Sequence, residues 1–201
     1  TRSLLVTGVQ TCALPIFIVM INSLYVKDKD EYGKFSNIYT GLLYIAVPIA
    51  LSNLIAFDKA GNFSGNLLLC FFIIIWCSDV GAFAFGISLG KIFPQKLFPS
   101  VSPKKTWIGF IGGLVSSVLA AFALYEFGIL KFPLIHCLIL SFIMSVTGVY
   151  GDLFESQWKR VYGVKDSGKI IPGHGGFLDR FDSTLMAMPF GAIYLAIFDL
   201  L

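Results

Sequence analysis

Residues 151–182 hold the chain's densest set of groups able to do chemistry. Ten of its 27 Asp, Glu, Lys and Arg residues fall in these 32 positions. Five are acids (Asp152, Glu155, Asp166, Asp179, Asp182) and five are bases (Lys159, Arg160, Lys165, Lys169, Arg180), so the local charge is close to zero. Carboxylates can hold metal ions and cationic side chains can hold phosphates; a site that handles both needs both signs close together. Asp152 and Glu155 are three apart and would share a helix face, which Ser156, Lys159 and Arg160 continue for another turn. Asp179 and Asp182 repeat that spacing, with Arg180 between them. Lys165-Asp166 lies between Gly163 and Gly168, and Pro172-Gly-His-Gly-Gly176 reads as a tight turn with exposed backbone N–H groups. A solvated loop is the plain alternative, yet a plain linker has little need of six glycines, a Pro-Gly turn and a histidine.

Two further positions could join this stretch. Asp79 stands inside an apolar run, where an acid is costly and by default marks a functional or cavity-facing position. The alternative is an aspartate paired with a neighbouring helix. The second is Ser102-Pro-Lys-Lys-Thr106, in which Ser102-Pro103 reads as a helix start followed by Lys104, Lys105 and the Thr106 hydroxyl. A helix N-terminus with ammonium groups suits an anion; a basic anchor on lipid headgroups would look the same. His174 has no Cys or second His at ligand spacing, and His136 lies in an apolar run, which argues against zinc. A phosphate donor or a structural turn residue are the readings left for His174. No Ser/His/acid arrangement with a nucleophile elbow appears. The Gly86/Gly90 and Gly109/Gly113 pairs, each four apart, point to close helix packing.

The elements that must position these residues are apolar. Mean hydropathy is +0.80, 56% of residues are hydrophobic and 13% are charged, against about 25% charged in soluble domains. The expected fold is therefore an all-α, polytopic integral membrane protein forming one domain over 1–201. Cys12, Cys70, Cys77 and Cys137 are scattered through apolar segments with no CxxC spacing, which excludes a disulfide framework as the organising device. A net charge of +3 gives no ground for nucleic-acid binding. Apolar runs at 38–57, 67–89, 107–127, 134–151 and 183–201 predict five full spans, with a partial one at 12–26. Segment 27–37 is expected as a mixed-charge loop. Residues 4–16 resemble translated sequencing-adapter sequence, so native sequence is expected to begin near Phe17, on a chain that has lost upstream spans. Loops 27–37, 90–106 and 152–182 carry three, four and five Lys/Arg, and the loops between them carry only Lys59 and Lys131. By the positive-inside rule the two loops 90–106 and 152–182 face the cytoplasm.

These residues together resemble a known family. The run Ser156-x-x-Lys-Arg-x4-Lys-Asp-x-Gly-x-x-Ile-Pro-x-His-Gly-Gly-x-x-Asp-Arg-x-Asp182 is similar to the long signature of phosphatidate cytidylyltransferases (CDP-diacylglycerol synthases). Ser102-Pro-Lys-Lys-Thr106, Gly112-Gly113 and Asp79-x-Gly-Ala match that family in the same order, so the resemblance runs from about residue 38 to the C-terminus. Trp158 replaces a smaller apolar residue or Phe, and Ile108 stands where many members have Glu or Gln.

The resemblance implies condensation of CTP with phosphatidic acid to give CDP-diacylglycerol and pyrophosphate, in a bacterial-type inner membrane. It implies Mg²⁺, with room for a second metal ion, held by Asp152, Asp179 and Asp182, with Asp79 supporting. It implies Lys165, Asp166, His174 and Arg180 at the reacting groups. Ser102, Lys104, Lys105, Thr106, Ser156, Lys159 and Arg160 would bind substrate. CTP, phosphatidic acid and membrane lipid are the expected partners, and a homodimer is a compatible assembly. A CTP-dependent lipid kinase would differ by releasing CDP. An ion-coupled transporter would explain Asp79 but not the charged cluster at 152–182.

Overall fold

The computed structural model describes residues 18, 20–21, 29–57, 62–168 and 176–201. It is mostly helical: α1 (Lys29–Ala56), α2 (Gly65–Leu89), α3 (Trp107–Glu126), α4 (Leu134–Val161) and α5 (Asp182–Ile197), with a 3₁₀ turn over Leu178–Arg180 before α5. Four of these helices contain stretches long and apolar enough to cross a membrane: Phe35–Ala56, Gly65–Leu89, Trp107–Glu126 and Leu134–Val161. At about 1.5 Å rise per residue, the 25 residues of α2 reach well beyond a hydrocarbon core of about 30 Å. The expected fifth full span is shorter: α5 has 16 residues and stops at Ile197, followed by Asp199 with φ 52°.

Three expectations need correction. Segment 27–37 is not a loop from Lys29 onward, because α1 begins there and carries its polar first turns into the apolar run. The fold is not purely α: β1 (Lys96–Phe98) pairs antiparallel with β2 (Ser102–Thr106), in the register Lys96↔Thr106 and Phe98↔Ser102. Ser102-Pro103 is consequently not a helix start. Proline pushes the preceding residue to extended backbone and suits an edge strand, as both strands of a two-stranded ribbon are. The helix begins only at Trp107, where extended Thr106 (φ −117°, ψ 155°) is the N-cap and its Oγ1 accepts from Gly109 N–H at 3.2 Å.

The core is a shared apolar cluster that includes Phe71 and Ile74 of α2, Leu140 and Met144 of α4, and Ala192 and Leu195 of α5, all essentially without exposure. Small residues set how closely the helices approach. On α3, a Cβ at Gly109 would lie 2.9 Å from the Ala82 carbonyl oxygen, and one at Gly113 would lie 2.9 Å from that of Ser78. Gly90 instead ends α2 as its C-cap, donating its N–H to the Gly86 carbonyl at 3.1 Å. Inside the bundle, the Ser78 and Ser145 hydroxyls satisfy each other at 2.7 Å between α2 and α4.

The crossing of α4 and α5 is a close contact near the polar end. A Cβ at Gly151 would fall 2.5 Å from the Asp182 carbonyl oxygen and 2.7 Å from Met186 Cβ. The Tyr44 hydroxyl of α1 lies on the same crossing, 3.1 Å from the Asp182 carbonyl oxygen and 3.4 Å from that of Gly151. Gly151→Ala forces a backbone shift there. Overpacking costs about 1–3 kcal/mol and the helix preference of Ala over Gly returns at most about 1 kcal/mol. We expect the thermal midpoint in a fixed detergent to fall by about 2–4 °C; an unchanged or raised midpoint would show that α5 can yield.

Candidate active site

Helix α4 does not stop where its apolar run ends. It continues through Asp152, Glu155, Ser156 and Lys159 to Val161, so these side chains are held on rigid backbone. Asp152 Oδ1 accepts from the Ser156 hydroxyl at 3.2 Å, and its Oδ2 lies 2.5 Å from Lys105 Nζ. Lys105 comes from β2, so the hairpin's task is to bring a cation onto the end of α4. Helix α5 begins at Asp182, whose Oδ1 accepts from the Ser183 backbone N–H at 2.7 Å. Because Gly151 and Asp182 touch, the carboxylates of Asp152 and Asp182 are neighbours. Asp79 of α2 faces the same space.

The result is one cleft of about 580 Å³, lined by Asp79, Asp152, Asp179 and Asp182 together with Lys104, Lys105, Thr106 and Ser183. Apolar side chains of α2 and α3, among them Phe83, Ile87 and Phe110, complete its wall. All four acids proposed from sequence thus meet in one cavity. Among the described residues, no group of three or more His, Cys, Asp or Glu side chains could hold a metal ion as it stands.

Asp179 is bound more tightly than the other three. Its Oδ1 accepts from Lys159 Nζ at 2.6 Å, and its Oδ2 accepts from Ser167 N–H (2.9 Å), Ser167 Oγ (2.9 Å) and Gly176 N–H (2.7 Å). Burial alone would raise its pKa. The hydrogen bonds from Lys159, Gly176 and Ser167 outweigh that, and hold the carboxyl well below the usual carboxylate range.

A scan against protein families matches residues 4–198 to the cytidylyltransferase family. The chain is 40% identical over 184 residues to the phosphatidate cytidylyltransferase of Bacillus subtilis (strain 168), covering 90% of this chain and 64% of that protein. It is 46% identical over 173 residues to the phosphatidate cytidylyltransferase of Staphylococcus aureus (strain COL), covering 86% of this chain and 64% of that protein. The chain belongs to the cytidylyltransferase family. It spans 64% of the length of each of these two relatives.

Within this family member, the other residues expected at the site fall into three groups. Lys104, Lys105 and Thr106 line the cleft, though Thr106 already spends its hydroxyl on the α3 cap. Ser156 sits beside the cleft through Asp152, while Lys159 is engaged by Asp179 and lies 3.3 Å from Glu155 Oε2. Ser102 pairs with Phe98 in the hairpin, and Arg160, Lys165, Asp166 and Arg180 are exposed; none of these five lines the cleft. His174 lies outside the described residues.

Sequence reasoning left Glu155 out of the site. Its side chain is 1% exposed, its Oε2 lies 3.3 Å from Lys159 Nζ, and the Asp182 carboxyl is a further polar neighbour. Its spacing from Asp152 was the available signal. The Ser167 and Gly176 donors to Asp179 had no signal beyond their place in the polar stretch.

The depressed pKa of Asp179 has a defined consequence for stability. A carboxyl whose folded pKa lies below its unfolded value of about 3.9 stabilises the fold above that pH, and the contribution disappears as pH falls further. Asp179→Asn removes it at every pH. The midpoint gap between wild type and Asp179→Asn should be widest near pH 7 and shrink below about pH 4. A gap that does not vary with pH would mean that charge at Asp179 contributes nothing.

Proposed function

We propose that the chain transfers the cytidylyl group of CTP to phosphatidic acid, giving CDP-diacylglycerol and pyrophosphate. The observation that carries this reading is the cleft itself, where Asp79 from inside an apolar helix meets Asp152, Asp179 and Asp182 and the two lysines of the hairpin. A nucleotide polyphosphate and a lipid headgroup can both reach such a place. The names and identities of the relatives support the same reaction.

The chemistry asks little of a general base, since the lipid phosphate oxygen is already anionic near neutral pH. That oxygen attacks the α-phosphorus of CTP, forming a P–O–P bond, while the bond from that phosphorus to the bridging oxygen of the leaving pyrophosphate breaks. Positioning and charge compensation supply the rate. Lys104 and Lys105 are assigned to phosphate oxygens. Asp79, Asp152 and Asp182 offer hard oxygen donors suited to Mg²⁺, which takes one or two protein carboxylates and fills its remaining positions with water and phosphate. A divalent ion held by these carboxylates would supply compensation for the charge that develops on the leaving pyrophosphate. Asp179 is placed with them as an acid of the same cleft, and the four hydrogen bonds to it favour a positioning share. Lys159 is assigned to hold Asp179, while Ser156 orients Asp152. Lys165, Asp166, His174 and Arg180 stay assigned to the reacting groups, and Arg160 to a substrate phosphate.

The proposal includes a fifth crossing made by α5, a cytoplasmic cleft, and a homodimer, whose mass in detergent would be read by light scattering. The basic loops on the cleft side support that orientation.

Asp152→Asn keeps the Ser156 contact but removes the charge. With labelled CTP, phosphatidic acid and Mg²⁺, pyrophosphate release should fall by about 10²-fold or more, the scale of losing one electrostatic contact in a transition state. Full activity in that variant would overturn the assignment of Asp152. Release of CDP by the wild type would identify a lipid kinase instead.

A further inference from the structure

Lys105 and Asp152 form the closest ion pair of the cleft, with Nζ 2.5 Å from Oδ2 and both side chains partly exposed (24% and 33%). The ammonium does not serve Asp152 alone. Asp79 and Asp182 both lie within its electrostatic reach, so this one ammonium serves three acids. Its backbone is fixed, because the hairpin pairs Lys96 with Thr106 and the next residue, Thr106, is buried as the cap of α3. Its side chain is not, since four methylenes let the ammonium relocate without moving β2.

We propose that Lys105 and the divalent ion are exchange partners on Asp152: the ion takes the oxygen that the ammonium holds, and the released lysine turns to a phosphate in the same cleft. Two cations on one carboxylate oxygen repel, so both cannot keep that position. A displaced ammonium in a cleft built for polyphosphate has an obvious anionic partner. Binding of the metal and recruitment of a phosphate-binding cation thereby become one event, and the cleft's net charge changes less than if either happened alone. The inference rests on the cytidylyltransferase reading for the identity of the phosphate, but its metal half stands apart from it.

The test measures metal binding without substrate. Mn²⁺ serves as the probe, with free ion read by electron paramagnetic resonance on detergent-solubilised protein at about 0.15 M salt. Removing a competing, partly exposed ammonium should tighten Mn²⁺ binding at least about threefold in Lys105→Met. Lys105→Arg, which keeps the charge, should stay near wild type, and Asp152→Asn should bind more weakly. Equal or weaker Mn²⁺ binding by Lys105→Met overturns the exchange, and points to a lysine that merely holds Asp152 in place. Should Lys105→Met not fold, wild-type protein gives a second reading. The rate at which an amine-reactive ester modifies Lys105, measured by peptide mass spectrometry against exposed Lys131, should rise at saturating Mg²⁺, and a rate that does not rise overturns the exchange. Loss of the pyrophosphate assay with intact metal exchange would sink the reaction and leave the exchange standing; the reverse result would do the opposite.

Discussion

The contact between Gly151 and the Asp182 carbonyl is the constraint from which the site follows. With no Cβ at Gly151, the first turn of α5 can lie directly on α4. Asp152 is the next residue on one helix and Asp182 opens the other, so the same contact makes their carboxylates neighbours. Tyr44 closes the crossing from the third side with its hydroxyl. Asp179 then fixes the approach to α5, joining Lys159 on α4 to Ser167 and Gly176 through both of its oxygens. The site is thus held by backbone packing first and by ionic contacts second. That order suits a place where the ionic contacts themselves must exchange partners.

Much of this was legible in the sequence because apolar length is a strong signal. The spans at α2 and α3 were placed within two residues of their observed ends, since Gly65–Leu89 and Trp107–Glu126 are nearly uninterrupted apolar runs. The start of α1 was misjudged, because polar residues open it at Lys29 and hydropathy has no means of separating a polar helix from a polar loop. The three-residue spacing of Asp152 and Glu155 did indicate that α4 continues past its apolar run, as it does to Val161. The hairpin was missed for a related reason. Its two short strands are held by local pairing around Pro103, and a five-residue strand carries too little periodic pattern to outweigh the helix-start reading of Ser102-Pro103.

The acids at the site were legible as types and spacings, but their division of labour was not. Asp179 and Asp182 have the same spacing as Asp152 and Glu155, yet the four stand in different surroundings. Asp179 is saturated by donors, whereas Asp152 faces one lysine and one serine. Glu155 is buried between Lys159 and Asp182. Those differences arise from which neighbouring element reaches each carboxylate, and that is a property of the helix crossing and the hairpin, not of the sequence interval.

Glu155 and Asp79 also bear on why the cleft sits where it does. A carboxylate is costly to bury unless its charge is compensated, and the cost grows as water is excluded. Asp79 faces the cleft within the field of Lys105, while Glu155 depends on the nearby ammonium of Lys159, which it shares with Asp179. Lys105 does the same for Asp152 and adds its field to Asp79 and Asp182. Each acid group therefore leans on a lysine that it does not own outright. A fold that relied on dedicated one-to-one pairs would have no reason to release any cation to an incoming phosphate. Shared lysines leave the acids compensated enough to fold and incompletely enough to attract a divalent ion, which is the electrostatic condition the proposed reaction requires.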